Sequence, residues 1–249
     1  MQKIQIVILA AGHGKRMNSE IPKVLTPLHG KPLIVHLLDS IKESGVCADP
    51  VIVIGQKGDQ VRAALGDGYT YAVQAEQLGT GHAVMSTESL LKDKAENIMV
   101  LYGDQPYMSA ETIRKLAEMH VSSGAYLTMA TTVVEDFEDW RGGFTNFSRI
   151  IRDADGKILR TVENKDATEE EKKITEVNPC YFCFNAAWMW RELHGLKNNN
   201  AQQEYYLTDL VEAACNESKP IASIVIDPHE ALGVNTQEQL ELAHSIVHP

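Results

Sequence analysis

Cysteine is scarce in this 249-residue chain: four occur, at positions 47, 180, 183 and 215, and only Cys180 and Cys183 form a CxxC pair. A zinc ribbon needs a second such pair, and a thioredoxin-like motif opens a helix. "VNPCYFCFN" instead reads as a strand, with positions 180 and 183 on opposite faces, so structural thiols in a reducing compartment are expected. Basic residues are also short, 23 against 34 acidic ones, for a net charge of −11 and a pI near 5.3. A nucleic-acid binder needs a basic face and is excluded. No apolar run approaches the length that spans a bilayer, and "MQKIQIVILAAGHGK" lacks the long apolar region and cleavage site of a secretory leader. A cytoplasmic protein with no membrane attachment is expected. There is no GxxxxGK[ST], no GxGxxG, no internal repeat and no low-complexity tract.

What is present is a chain that is 44% hydrophobic and long enough to bury a sizeable core. Apolar runs at 4–9, 51–54 and 97–101 have the character of buried parallel strands. Between them "PLIVHLLDSIKESG" and "GTGHAVMSTESLLKD" carry helical spacing, which gives a βαβα order. "AYLTMATTVV", "RIIRD", "ILRTVE", "CYFCF" and "IASIVI" are further strands, and helices fall near 110–121, 185–195, 206–217 and 236–247. "DATEEEKKIT" is a charged surface turn or short helix. The fold class is α/β: a Rossmann-like, mixed and mostly parallel sheet flanked by helices.

In such a sheet the ligand lies beyond the carboxyl ends of the strands, and two segments there carry chemistry. After the first strand comes "LAAGHGKRMNSEIPKVL". Gly12 and Gly14 lack a Cβ, so successive N–H groups can turn toward one anion, and Lys15, Arg16 and Lys23 add full charges. Pro22 restricts the backbone just before Lys23. A polyphosphate fits this loop, although a tight turn capping an ordinary strand would share its glycines. After "NIMVL" comes "YGDQP", where Asp104 is placed to grip a metal ion. As a cap for the helix beginning near Ser109 it stands several residues too early.

Taken together, "LAAGHGKRMNSEIPKVLTPLHGKPLIVH", "QAEQLGTGHAV", "VLYGDQP", "VENKDAT", "NNNAQQEYYLTDLV" and "EALGVNTQEQL" resemble, in order and spacing, the uridylyltransferase domain of bacterial bifunctional GlmU, of the sugar nucleotidyltransferase family. The resemblance runs from about residue 4 to residue 245. It implies the nucleotide-diphospho-sugar transferase fold and a single nucleotidyltransferase domain over 1–249. The nucleotide-binding half would span about 1–110 and the sugar-binding half about 111–249. The implied reaction joins UTP and N-acetylglucosamine 1-phosphate into UDP-N-acetylglucosamine and pyrophosphate. The backbone of Ala11, Gly12 and Gly14 would then approach the nucleotide, with Arg16 on the outer phosphates and Lys23 at the reacting ones. Gln74 would read the uracil edge, since an amide offers both a donor and an acceptor, and Gly79 and Thr80 would close over base and ribose. Asp104 and Asn235 would be the ligands of Mg2+, a hard ion that takes few protein ligands. Ser148, Glu163, Asn178, Tyr206 and Thr208 fall where the family holds the sugar and its phosphate. His13 stands in a loop that works through its backbone, and capping or packing is expected of His82.

The chain departs from this pattern around the sugar. Where the family reads "YGRI" this chain has Phe147, Ser148, Arg149 and Ile150, and where it reads Asn-Thr-Gly this chain has Asn178, Pro179 and Cys180. Both changes reshape the acceptor pocket. The acetamido sugar is still expected to be the best acceptor, and restoring glycine at 148 is expected to improve its use or leave it unchanged. With no hexapeptide repeat, acetyltransferase activity is not expected. Read on the residues alone, Glu163 could be a solvated carboxylate and "EYY" a packing cluster. A transferase for another base or sugar phosphate, or a non-catalytic nucleotide sensor, stays open.

Overall fold

The computed structural model describes residues 3–12 and 21–246. Gly14 and Arg16, both expected at the phosphates, lie outside the described residues, as do Lys15 and His13.

The chain opens with β1 (Ile4–Ala10), whose run IQIVILA is buried along nearly its whole length. A small hairpin of β2 (Pro27–Leu28) and β3 (Lys31–Pro32) leads into α1 (Leu33–Ser44), which stops at Gly45 in a left-handed conformation. Then come β4 (Val51–Ile54), α2 (Gly58–Leu65), β5 (Thr70–Val73), the short α3 (Thr80–Met85) and α4 (Glu88–Leu91), and β6 (Asn97–Tyr102). β5, β4, β1 and β6 lie side by side in that order, all parallel. Neither α2 nor β5 is visible as an apolar run. One is only eight residues long and largely exposed, and the other is a half-exposed edge strand.

The rest of the chain runs α5 (Ala110–Ser123), β7 (Leu127–Val133), β8 (Ser148–Arg152), β9 (Ile158–Val162), β10 (Glu176–Asn178), β11 (Phe182–Asn185), α6 (Ala186–Leu193), α7 (Asp209–Asn216), β12 (Ile221–Val225) and α8 (Gln237–Ser245). All strands outside the hairpin join one ten-stranded sheet, in which β9, β10 and β11 run against the direction of the others. This is the mixed, mostly parallel sheet expected of the sequence.

"VNPCYFCFN" does not form the uninterrupted strand its composition suggests. β10 and β11 follow the same edge of β7, but Phe182 faces Met129 while Val177 faces Thr132, five residues against three. The two extra residues bulge out around Pro179, which has no N–H to pair, and Cys180, whose φ is +68°. Across the bulge the strand changes its outer neighbour: β11 pairs with β6, and β10 with β8. The sheet therefore opens where β6 ends and β8 begins, and that gap positions the site.

Alternation along β1 sends Ile4, Ile6 and Ile8 to a core shared with α1 and α5, and Val7 and Leu9 to a second core shared with α3, α6 and α7. Cys183 belongs to the first core and Cys180 packs on the second, so they do face opposite ways; both are free thiols. Among the described residues no helix is long and apolar enough to cross a membrane.

One buried titratable group ties α5 to the sheet. His120 Nδ1 contacts Thr128 Oγ1 at 2.9 Å and Nε2 contacts Asn97 Oδ1 at 3.0 Å, and burial pushes its pKa down to about 4. The unfolded chain takes up this proton near 6.5, whereas the folded protein resists it until about 4. Unfolding stability should therefore fall as the pH drops from 6.5 to 4, by up to about 3 kcal/mol from this residue. Urea titrations across that range check it: a His120→Gln variant should show a flatter dependence, and an identical slope would refute the assignment.

Candidate active site

The turn carrying Lys23 lies directly over the carboxyl end of β6. A Cβ at Gly103 would stand 3.2 Å from Val24 Cγ1, so the missing side chain is what lets the 3-10 turn Lys23–Leu25 approach so closely. Gly103 N–H in turn donates to Leu9 O at 3.0 Å, which locks the end of β6 to β1. On the other side, Val234 N–H donates to Asp104 O at 2.9 Å and fastens the loop that precedes α8. Three distant segments thereby bring their polar side chains to one point. Lys23 Nζ donates to Asp104 Oδ2 at 2.5 Å and to Asn235 Oδ1 at 2.7 Å. Two hard oxygens converge on a single cationic nitrogen, with the Lys23 and Asp104 side chains each only 13% exposed.

A cavity of about 370 Å³ opens on one side of this point, with Ala11, Gly12, Lys23, Gln74, Gly79 and Thr80 among its walls. Its far wall is a zipper between two loops. Gly81 N–H donates to Tyr205 O and Tyr205 N–H to Leu78 O, both at 2.8 Å, and Leu207 N–H donates to Thr80 Oγ1 at 3.0 Å. Gly79 has φ +109°, and a Cβ there would lie 2.6 Å from Tyr205 O, so both its conformation and its contact demand glycine. Gln74 is buried, and its Nε2 reaches Gly79 O at 3.1 Å and His82 Nδ1 at 3.2 Å. A backbone carbonyl can only accept, so the amide orientation is determined and Oε1 is left without a donor among the described residues. Gln77, not singled out from the sequence, donates through Nε2 to Ala11 O, which joins the chain just beyond β1 to the same wall.

On the other side a smaller cleft of about 170 Å³ fills the gap in the sheet and shares Tyr102, Asp104 and Asn235 with the first. Ser148, Glu163 and Asn178 line it, as do Pro179 and Cys180, the residues at which the sequence departs from its family, and Gln105, which the sequence did not point to. The Gln105 signal was proximity alone, one residue after Asp104 in "YGDQP". Of the residues expected at the sugar, Thr208 does not line the cleft but donates to Glu163 Oε1 at 2.8 Å. Tyr206 lines neither cleft: its ring is buried, and its hydroxyl accepts from Gln202 Nε2 at 2.8 Å. At the start of α7, Asp209 has its pKa pushed up to about 6 by burial and by the charge of Glu163. Burial, reinforced by Glu163 and Asp104, pushes the Cys180 thiol far up, so it stays protonated.

The arrangement suits a reaction that joins two anions. Two clefts meet at a carboxylate, an amide oxygen and an ammonium group. Among the described residues there is no cluster of three or more His, Cys, Asp or Glu side chains able to hold a metal ion. Asp104 and Asn235 alone offer the sparse oxygen set that suits a hard divalent cation completed by phosphate and water.

Known proteins resemble this chain in sequence and in fold. The profile of the MobA-like NTP transferase domain matches residues 6–213. The bifunctional protein GlmU of Brevibacillus brevis is 42% identical over 246 residues, 98% of this chain and 52% of that protein. That of Thermoanaerobacter pseudethanolicus is 40% identical over 247 residues, 99% and 52% respectively. The chain thus spans about half the length of the curated relatives it matches. A solved UDP-glucose pyrophosphorylase complexed with UDP-glucose has a TM-score of 0.77 at 18% identity, covering 98% of both chains, which is a likeness of fold.

Proposed function

The chain belongs to the family of MobA-like NTP transferase domains and is a nucleotidyltransferase, and on that premise we propose that it joins UTP to N-acetylglucosamine 1-phosphate, releasing pyrophosphate. The observation that carries the reading is the meeting of two clefts at Lys23, Asp104 and Asn235, with Ala11 and Gly12 on one side and a hydroxyl- and amide-lined gap on the other. The similarity to GlmU proteins over the whole chain supports the choice of substrates.

In this reading the larger cleft takes the nucleotide. Gln74 Oε1, which has no donor among the described residues, is an acceptor there, and uracil and thymine carry an N3–H to meet it whereas cytosine does not. The smaller cleft takes the sugar phosphate, with Glu163 and Asn178 on its hydroxyl and amide groups. An oxygen of that phosphate, already ionised at neutral pH, forms the new bond to the α-phosphorus as the bond to pyrophosphate breaks. No general base is needed. The cost to be offset is electrostatic, and Lys23, with Arg16 of the glycine-containing sequence "AAGHGKR", would neutralise the crowded oxygens and hold the line of attack. Magnesium, held by Asp104 and Asn235, would supply further neutralisation of phosphate charge.

The test is pyrophosphate release across a panel of nucleoside triphosphates and sugar 1-phosphates. UTP with N-acetylglucosamine 1-phosphate should be the best pair. A tenfold advantage for another sugar phosphate would overturn the acceptor. Preference for another triphosphate would overturn the base, and binding without turnover would point to a sensor.

A further inference from the structure

Glu163 is held in an asymmetric way. Its Oε1 accepts two hydroxyl hydrogen bonds, from Ser148 Oγ and from Thr208 Oγ1, each at 2.8 Å. Its Oε2 takes no hydrogen bond among the described residues. The two hydroxyls come from different elements, Ser148 from the first position of β8 and Thr208 from the residue preceding α7. Ser148 is itself buried, 2% exposed, so its hydroxyl has been withdrawn from water for this contact.

The neighbouring amide is just as constrained. Asn178 Oδ1 accepts from Cys180 N–H at 2.8 Å, closing a turn from a side chain onto the backbone two residues on. An N–H cannot pair with an amide nitrogen, so the orientation is settled. Asn178 Nδ2 is left buried without a partner among the described residues. The bulge at Pro179 and Cys180, with its left-handed Cys180, thus has a consequence for the cleft. It turns one donor inward while Glu163 contributes one acceptor.

We propose that Ser148 is a positioning residue for the acceptor sugar: by holding Glu163 through Oε1 together with Thr208, it presents Oε2 to a sugar hydroxyl opposite the Asn178 donor. This rests on the smaller cleft being the acceptor site. A carboxylate anchored by one oxygen on two donors cannot rotate to offer the other face, so the free lone pairs point in a fixed direction before the sugar arrives. A glycine at 148 would leave Thr208 as the one side-chain anchor among the described residues. The geometry therefore reverses the expectation drawn from sequence, under which Ser148→Gly should be harmless or helpful. A hydroxyl spent on Glu163 is not bulk in the sugar's way.

The experiment is steady-state kinetics of the full chain carrying Ser148→Ala, Ser148→Gly or Ser148→Thr, with thermal melts alongside. Loss of the hydroxyl should raise KM for the sugar phosphate about tenfold, while kcat and KM for the nucleotide change less than about twofold. Ser148→Thr retains a hydroxyl and should recover most of the loss. Because Ser148 acts through Glu163, Ser148→Ala should have almost no further effect in a Glu163→Gln background. The proposal is overturned if Ser148→Ala leaves KM for the sugar phosphate unchanged, if kcat and the nucleotide KM are damaged as much, or if the cost is the same with and without Glu163. The sugar phosphate used is the one the wild-type panel prefers, so a wrong assignment of the sugar appears in the wild-type protein and a wrong role for Ser148 only in the variants.

Discussion

Asp104→Ala should lower turnover by roughly 10²–10³-fold or more while leaving the thermal melt nearly unchanged. The chemical half of that expectation follows from position. Asp104 is the one carboxylate among the three groups that meet between the two clefts, and its oxygen lies 2.5 Å from Lys23 Nζ. Without it the three-group junction loses its carboxylate, and among the described residues Lys23 keeps its contact to Asn235 Oδ1. The structural half follows from what the side chain does not do. The tie between the end of β6 and the loop before α8 runs through the Asp104 backbone carbonyl, which alanine keeps. Asp104→Asn, which keeps an oxygen and gives up the charge, should fall between the two. Pyrophosphate release with magnesium is the measurement, and a variant retaining more than a tenth of wild-type activity would sink the assignment.

Lys23→Ala should cost about 10²–10³ in kcat and much less in KM for the nucleotide, because the ammonium is needed most as charge crowds at the reacting phosphates. Its location supports that split. Lys23 does not sit deep in the larger cavity but at its border with the smaller one, aimed there by Pro22 and by the turn that packs on Gly103. Lys23→Arg should not rescue. Two acceptor oxygens at 2.5 and 2.7 Å from one nitrogen suit a compact point charge, and a planar guanidinium spreads its donors over a wider fork. A pure rise in KM would instead make Lys23 a residue of ground-state nucleotide binding.

Much of this protein was legible in its amino-acid order. The strands β1, β4 and β6, with α1 and α5 between and after them, follow from apolar runs and helical spacing, because a strand buried on both faces is a continuous apolar run and a helix buried on one face carries its own period, both written into consecutive residues. Gly79 was named only through resemblance, as backbone closing over base and ribose; that its φ of +109° and its approach to Tyr205 O exclude a side chain is a fact of the tertiary structure. The convergence of Lys23, Asp104 and Asn235 was foreseeable only through resemblance: 212 residues separate Lys23 from Asn235, and no spacing rule spans that distance.

Tertiary structure decided the acceptor side. In sequence "VNPCYFCFN" is one apolar strand, and its two-residue slip against β7 depends on what β6 and β8 offer on the other edge. Tyr206 and Thr208, two residues apart, were expected to share a task, yet the first is packed against Gln202 and the second reaches Glu163. Ser148 shows the same limit. As a residue replacing glycine it reads as added bulk, and only its partner reveals it as a hydrogen-bond donor. Local periodicity determines which face a side chain takes, because it is written into consecutive residues. A hydrogen-bond partner 15 or 45 positions away, as Ser148 and Thr208 are from Glu163, exists only once the sheet has brought the segments together.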